Sequence, residues 1–188
     1  MTSIIAKTRY LIEDSSTATI DIFTYEASSV FTLTESNPIA ITTVYINNVA
    51  TSGYTYSSTT KRVTITDSLT VGDTIQINYT AYLNYSDNEL REYIQSALIY
   101  LSINNYYDFI YDSDDDTIYP SPETREKNLI ASIAALLIKP NNTSIRLPNI
   151  SITLPKDYPT NEKIAKLIAT FKRSKEGVFD IIERVVYE

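Results

Sequence analysis

Near Tyr85 the spacing of apolar residues changes from two to three-and-four, and this change constrains the fold more than any other feature of the chain. Before it, from Thr8 to Tyr82, short stretches rich in Thr, Ile, Val, Tyr and Phe alternate with clusters of Ser, Asn, Asp and Gly. That pattern belongs to an all-β domain. Alternation is clearest where Ile75, Ile77, Tyr79 and Ala81 interleave with Gln76, Asn78 and Thr80, as a strand with one buried face requires. Further strands are expected at Arg9–Glu13, Thr17–Thr24, Val30–Leu33, Ile39–Ile46 and Arg62–Thr66. Asn47-Asn48 suits a tight hairpin turn because Asn tolerates positive φ, and Gly72-Asp73 marks a second turn.

After Tyr85 the helical period takes over. Ser86-Asp87-Asn88-Glu89 reads as a capping box, and Leu90, Tyr93, Ile94, Ala97, Leu98 and Leu101 recur on one face of the helix it opens. A second helix is predicted to open at Ser121-Pro122-Glu123 and to stop before Pro140. Its middle, Leu129 to Ile138, is apolar on nearly every side and must be surrounded by protein. A third is predicted from Thr160 to Gly177, with Ile164, Leu167, Ile168 and Phe171 on one face. The tail Val178–Tyr187 fits helix by spacing and strand by composition. Between the second and third helices, residues 140–159 carry four prolines and the apolar positions Ile145, Leu147, Ile150, Ile152 and Leu154. This segment reads as an extended arm or a hairpin packed on something.

The expected class is therefore α+β. Residues 1–85 form a small antiparallel β-sandwich or barrel of about six or seven strands. Residues 86–188 form a domain of three helices with an extended arm at 140–159. At 188 residues no disulfide or metal is needed to hold such a core together.

Several chemistries are excluded by residue type. The chain has no cysteine and no histidine, which removes thiol and Ser–His nucleophiles, thiolate metal sites and the commonest general base near neutral pH. Only three glycines occur and no phosphate-binding loop is present. Among carboxylates, Glu89 is occupied by the capping box and Glu92 lies on the exposed side of the same helix. No enzyme activity and no cofactor are expected. The N-terminus lacks the features of a secretory signal, and the longest apolar run is too short to span a bilayer, so no membrane association is expected.

Two clusters suggest binding sites. Taking Asp112 as the first ligand places Asp114, Asp116 and Glu123 at oxygen-donor positions of an EF-hand loop, but Thr117 stands where the sharp turn needs glycine. An acidic solvated loop is the favoured reading. The 16 tyrosines, including Tyr54, Tyr56, Tyr82, Tyr106 and Tyr107, suit a carbohydrate- or receptor-binding module of a phage tail or cell surface. Tyrosine is equally at home in strands and protein interfaces.

Charge is unevenly distributed. The whole chain carries −7, which disfavours electrostatic binding of nucleic acid. Residues 87–138 hold three basic against ten acidic residues, net −7, and residues 139–188 hold nine against six, net +3. The acidic segment centres on Asp112, Asp114, Asp115 and Asp116; the basic helix carries Lys163, Lys166, Lys172 and Arg173. These read either as two solvated helix faces or as two complementary patches for a head-to-tail contact between subunits, with the arm Ile145–Leu154 as the apolar part.

The run Leu69-Thr-Val-Gly72-Asp73-Thr-Ile75-Gln-Ile77-Asn-Tyr79-Thr80, continuing through Tyr85-Ser86-Asp87-Asn88-Glu89-Leu90 into Ala97-Leu98, resembles neck proteins of tailed bacteriophages. The later order does too: Tyr119-Pro120-Ser121-Pro122 opening an apolar helix, a proline-containing arm, then an amphipathic helix. The resemblance covers mainly residues 69–180 and is to the head-to-tail connector, or adaptor, class. It implies a structural virion protein that assembles as a homo-oligomeric ring, roughly a dodecamer. Such a ring meets the portal protein on one side and the tail or a second neck protein on the other, and passes DNA without reading its sequence. Connectors of this type are small and mostly helical, so a β-domain at residues 1–85 departs from the pattern.

Overall fold

The computed structural model describes residues 1–35, 37–147 and 150–186, with the side chains of 147, 150 and 174–186 left aside. The chain is α+β and divides into two compact units, Asp14–Ser86 and Met1–Glu13 with Asp87–Glu188. The division at Ser86/Asp87 falls beside the change of period. The first thirteen residues, however, belong to the helical unit and not to the β-domain.

Among the described residues the unit Asp14–Ser86 contains seven strands: β1 Ser16–Thr24, β2 Val30–Thr32, β3 Asn37–Ile46, β4 Val49–Thr51, β5 Tyr54–Ser57, β6 Arg62–Ile65 and β7 Thr74–Tyr82. They form two antiparallel sheets, one of four strands in the order β1-β7-β3-β4 and one of three in the order β2-β6-β5. The alternation read in β7 is realised in full. Ile75, Ile77, Tyr79 and Ala81 are buried and share one core with Val44 of β3, Phe31 of β2 and Val63 and Ile65 of β6. Asn47 and Asn48 both have positive φ, at 49° and 67°, and turn β3 into β4. Gly72, at φ 98°, makes the turn before β7, a conformation that favours glycine. The two turns are tied together. Asn47 Nδ2 donates to Asp73 Oδ1 at 2.7 Å, and the Thr74 amide donates to Asn47 Oδ1 at 2.9 Å.

Among the described residues the helical unit has four helices, not three: α1 Thr2–Ile12, α2 Asp87–Ile103, α3 Thr124–Ile138 and α4 Thr160–Val186. The expected strand Arg9–Glu13 is instead the end of α1. Ile4, Ile5, Thr8, Leu11 and Ile12 recur at helical spacing and are buried, and Glu13 closes the helix in the left-handed conformation. Helix α3 packs against α1, α2 and α4, so Leu129 to Leu136 are all buried. It opens at Thr124, later than expected. Glu123, in extended conformation, is the N-cap, and Glu126 reaches back to accept from the Glu123 amide at 2.8 Å. Helix α4 does not stop at Gly177 but continues to Val186, which places the tail in helix. Between α2 and α3 lies the hairpin of β8 Ile110–Asp112 and β9 Thr117–Tyr119. Between α3 and α4 lies that of β10 Ser144–Leu147 and β11 Ile150–Thr153. The arm at 140–159 is thus a hairpin.

Candidate assembly surfaces

The acidic cluster is the turn of the β8–β9 hairpin, and its four aspartates have different roles. Asp112 Oδ1 accepts from the Asp114 amide at 3.0 Å, stabilising the turn from within. Asp116 has φ 51° and is engaged by Arg91 of α2 through Nε–Oδ1 at 2.9 Å and Nη2–Oδ2 at 3.2 Å. Tyr111 adds an O–H donor at 2.9 Å. The guanidinium hydrogen bond, followed by that of Tyr111, holds the Asp116 carboxyl below the usual aspartate range; the same pair raises Arg91. Tyr111 is pushed up, first by desolvation and then by its hydrogen bond to Asp116. Only Asp114 and Asp115 point freely into solvent at the tip. Among the described residues no group of three or more carboxylates is placed to hold a metal ion. The segment pairs as a hairpin instead of opening into a helix-flanked loop.

The basic helix differs more sharply from expectation. Lys163 is 2% exposed, and its Nζ donates to the carbonyl of Pro140 at 2.9 Å, just past the end of α3. Lys172 Nζ donates to the carbonyl of Asn104 at 2.9 Å, just past the end of α2. Lys139, at the end of α3, donates to the carbonyl of Ile12, the last residue of α1. Three helices therefore each have a carbonyl at or just beyond their C-terminus bound by a lysine of the same unit. The last four carbonyls of a helix lack intrahelical donors and carry its negative partial charge, so this is where an ammonium is most useful. Lys163 is thereby corrected from a neighbour-facing residue to an internal one, and Lys172 is half-buried in the same kind of role. Lys166, whose Nζ lies 5.7 Å over the Tyr158 ring, and Arg173 are exposed.

The arm is likewise folded back in part. Ile145 and Leu154 are 1% and 2% exposed, Ile152 is half-buried opposite Ile145, and the Leu154 amide donates to Thr143 O at 2.7 Å. Leu147 and Ile150 lie outside the described side chains. The reading of Ile145 and Leu154 as contacts to a neighbour is corrected: they are core residues of their own unit. Deleting 142–154 would remove buried surface as well as any arm.

No family model matches the chain, and no curated protein matches it.

Sequence reasoning missed the surface that the helical unit does expose. Ile99 and Ile103 lie one turn apart on α2 at 60% and 69% exposure. Ile110 and Tyr119 face each other across the β8–β9 hairpin at 70% and 52%. The signal was present in the sequence: Ile99 and Ile103 fall off the Leu90–Leu101 stripe at an i, i+4 spacing of their own. A shallow cleft of about 460 Å³, lined by Leu11, Glu13, Lys139 and Asn142 among others, offers no pair of carboxylates for acid–base work. Among the described residues no helix is long and apolar enough to cross a membrane.

Proposed function

We propose that the chain is a structural virion protein of a tailed bacteriophage, a connector whose copies form a ring between portal and tail and line a passage for DNA. The observation that carries this reading is the exposed apolar surface of the helical unit. Ile99 and Ile103 stand on one face of α2, and Ile110 and Tyr119 form a cross-strand pair in the hairpin that also carries Asp114 and Asp115. Exposed apolar residues set in pairs, one turn apart on a helix and across a hairpin, favour protein contact. The resemblance of residues 69–180 to connector proteins supplies the kind of contact, a head-to-tail one that closes into a ring of about twelve subunits.

In this reading Asp114 and Asp115 meet Lys166 and Arg173 of the next subunit. Exposed pairs of this kind contribute only about 0 to 1 kcal/mol each, so the apolar surface supplies affinity and the charges supply register. A net charge of −7 suits the passage, because an acidic wall repels phosphate and lets duplex slide. For the β unit we take a two-layer sandwich as the arrangement, supported by two sheets with a common core.

Electron microscopy of the purified chain, alone and with a portal ring, tests this directly. Rings with an axial channel are expected. Replacing Ile99 and Ile103 together by Asp should abolish them while leaving circular dichroism and Tm essentially unchanged. Absence of rings under both conditions, or rings that survive the double substitution, would overturn the reading.

A further inference from the structure

We infer that β1 is a strand-addition edge whose occupant is the β1 strand of a second copy of this chain, paired antiparallel about a two-fold axis at Ile20. The inference concerns the β unit and does not rest on the connector reading, whose contacts lie on the helical unit.

Strand β1 is an edge of the four-stranded sheet, and it is long, with nine residues paired to β7 in unbroken register from Ser16–Tyr82 to Thr24–Thr74. The direction of its free hydrogen-bonding groups follows from the strand's end. The Tyr25 amide donates to Asp73 O at 2.8 Å, and the Gly72 amide donates to Tyr25 O at 2.9 Å, so Tyr25 faces β7. Main-chain groups alternate sides along an antiparallel strand. Thr17, Thr19, Asp21 and Phe23 therefore bond to β7. Ser16, Ala18, Ile20, Ile22 and Thr24 present their N–H and C=O groups to the open side.

Such an edge is ordinarily guarded by lysine, proline, a bulge or a very short strand. In this sheet proline and bulges do occur, but on the opposite side, in the stretch of β3 that β4 does not cover, at Pro38 and at the two register shifts Pro38/Ala40 and Ile41/Thr43. On β1 the charge is Asp21; an inward-pointing charge guards an edge when adding a strand would leave it unpaired, but Asp21 is already buried and satisfied within the unit, by the Thr34 amide at 2.7 Å and the Tyr79 hydroxyl at 3.0 Å. The outward side chains include Ile20 and Ile22, exposed at 58% and 66%.

The occupant is indicated by charge and by register. A chain of net charge −7 repels its own copy through most of its surface. The outer face of this sheet is uncharged: Ala18, Ile20 and Ile22 on β1 border Thr80, Asn78 and Gln76 on β7. The strand is also complementary to itself. With Ile20 opposite Ile20 of the second copy, all nine residues pair, Ile22 lies beside Ala18 and Thr24 beside Ser16. About ten interchain hydrogen bonds then form by the antiparallel pattern. The result is a continuous eight-stranded sheet whose remaining edges are the three-residue β4 strands and the stretch of β3 beyond them, which carries Pro38 and both register shifts, so strand addition stops at two copies.

The chain has no cysteine, which makes the pairing directly testable. In the proposed register the two Cα atoms of residue 20 lie about 5.5 Å apart, within reach of a disulfide. The full-length Ile20→Cys variant should form a covalent dimer on mild oxidation. Ala18→Cys, with its own image some four residues away, should form at least tenfold less. Sedimentation of the Ile99→Asp/Ile103→Asp variant, in which the ring contact is removed, should give twice 21.3 kDa at high micromolar concentration. Adding Ile20→Pro, which removes an outward N–H and leaves the β7 ladder intact, should halve that mass, as should adding Ile22→Lys if the proline variant fails to fold. A monomeric Ile99→Asp/Ile103→Asp variant, equal cross-linking at positions 18 and 20, or folded Ile20→Pro and Ile22→Lys variants of it that remain dimers would each overturn the inference.

Discussion

The two units handle charge in opposite ways. In the β unit the buried carboxylates are Asp14, which accepts from Asn84 at 3.1 Å, and Asp21, met by the Thr34 amide and the Tyr79 hydroxyl, and the outer face of the larger sheet carries no charge along β1 and β7. In the helical unit charged side chains sit at helix ends. Lys139, Lys163 and Lys172 bind carbonyls at or beyond the C-termini of α1, α3 and α2. Arg9, in the last turn of α1, bonds Asp87, in the first turn of α2, at 2.8 Å. The difference follows from the elements. Paired strands satisfy one another, whereas every helix leaves four carbonyls and four amides without internal partners. A bundle therefore needs ions at fixed points that a sheet does not. The net charge of a segment consequently says little about its surface until these internal uses are subtracted.

The largest effect on this contrast should come from Lys163. Lys163→Met keeps the apolar stem and removes the donor to Pro140, leaving that carbonyl without its ammonium beside the end of α3. The expected loss is about 1.5 to 3 kcal/mol, the range for hydrogen bonds made by charged groups. Lys166→Met, on the exposed side of the same helix, should change stability by less than about 0.5 kcal/mol. Urea denaturation of the two variants decides the matter. Equal midpoints would mean that the lysines of α4 are interchangeable and that capping is not what holds Lys163.

A smaller effect is expected in the β unit at Tyr79. Its hydroxyl lies between Asp21 and the Glu35 amide, and burial pushes its pKa up to about 12. Tyr79→Phe keeps the ring in the core and should cost about 1 to 2 kcal/mol. The raised pKa also sets a sign in alkali. The folded state holds the proton more tightly, so the contribution is fully present below the ordinary tyrosine value of 10.0. It is lost as pH rises to about 12. Wild type should therefore lose stability over that window more steeply than Tyr79→Phe, read from Tm against pH. Parallel curves would show that the hydroxyl titrates as in the unfolded chain.

How much of this could be read beforehand depends on whether a feature is local. The β7 alternation, the Asn47-Asn48 turn and the buried middle of α3 are written in consecutive residues, and all are present in the structure. The burial of Lys163, Ile145 and Leu154 depends on partners far away in the chain, and no local pattern marks it. Helix α1 falls between these cases. Its stripe Ile4, Thr8, Leu11 and Ile12 is visible once its packing against α3 is known. Its last residues, Arg9 to Glu13, taken alone, match a short strand as well as a helix. Of the expected surface residues, Asp114, Asp115, Lys166 and Arg173 are exposed. Ile99 and Ile103 are marked locally by their i, i+4 spacing off the Leu90–Leu101 stripe, whereas the exposure of Ile110 carries no local signal, because single exposed apolar residues are ordinary.

The smallest effect should come from the exposed ion pair that ties the acidic hairpin to α2. Arg91 meets Asp116 with two nitrogen–oxygen contacts, a geometry stronger than a single one, but both side chains are about a third exposed and water competes for each. Asp116→Asn should thus cost less than about 1 kcal/mol in global stability. Its effect should be local, as faster amide exchange in 110–119 with α3 unchanged. The pH dependence follows from the lowered carboxyl. The contribution is present above the ordinary aspartate range and is lost as pH falls through the lower folded-state value. Exchange in the wild-type hairpin should accordingly approach that of the variant only in acid, after correction for the intrinsic rate. If the variant exchanges like wild type at neutral pH, the hairpin is held by the burial of Phe109 and Ile118 alone. The charge contrast between the two units would then be confined to the helix ends.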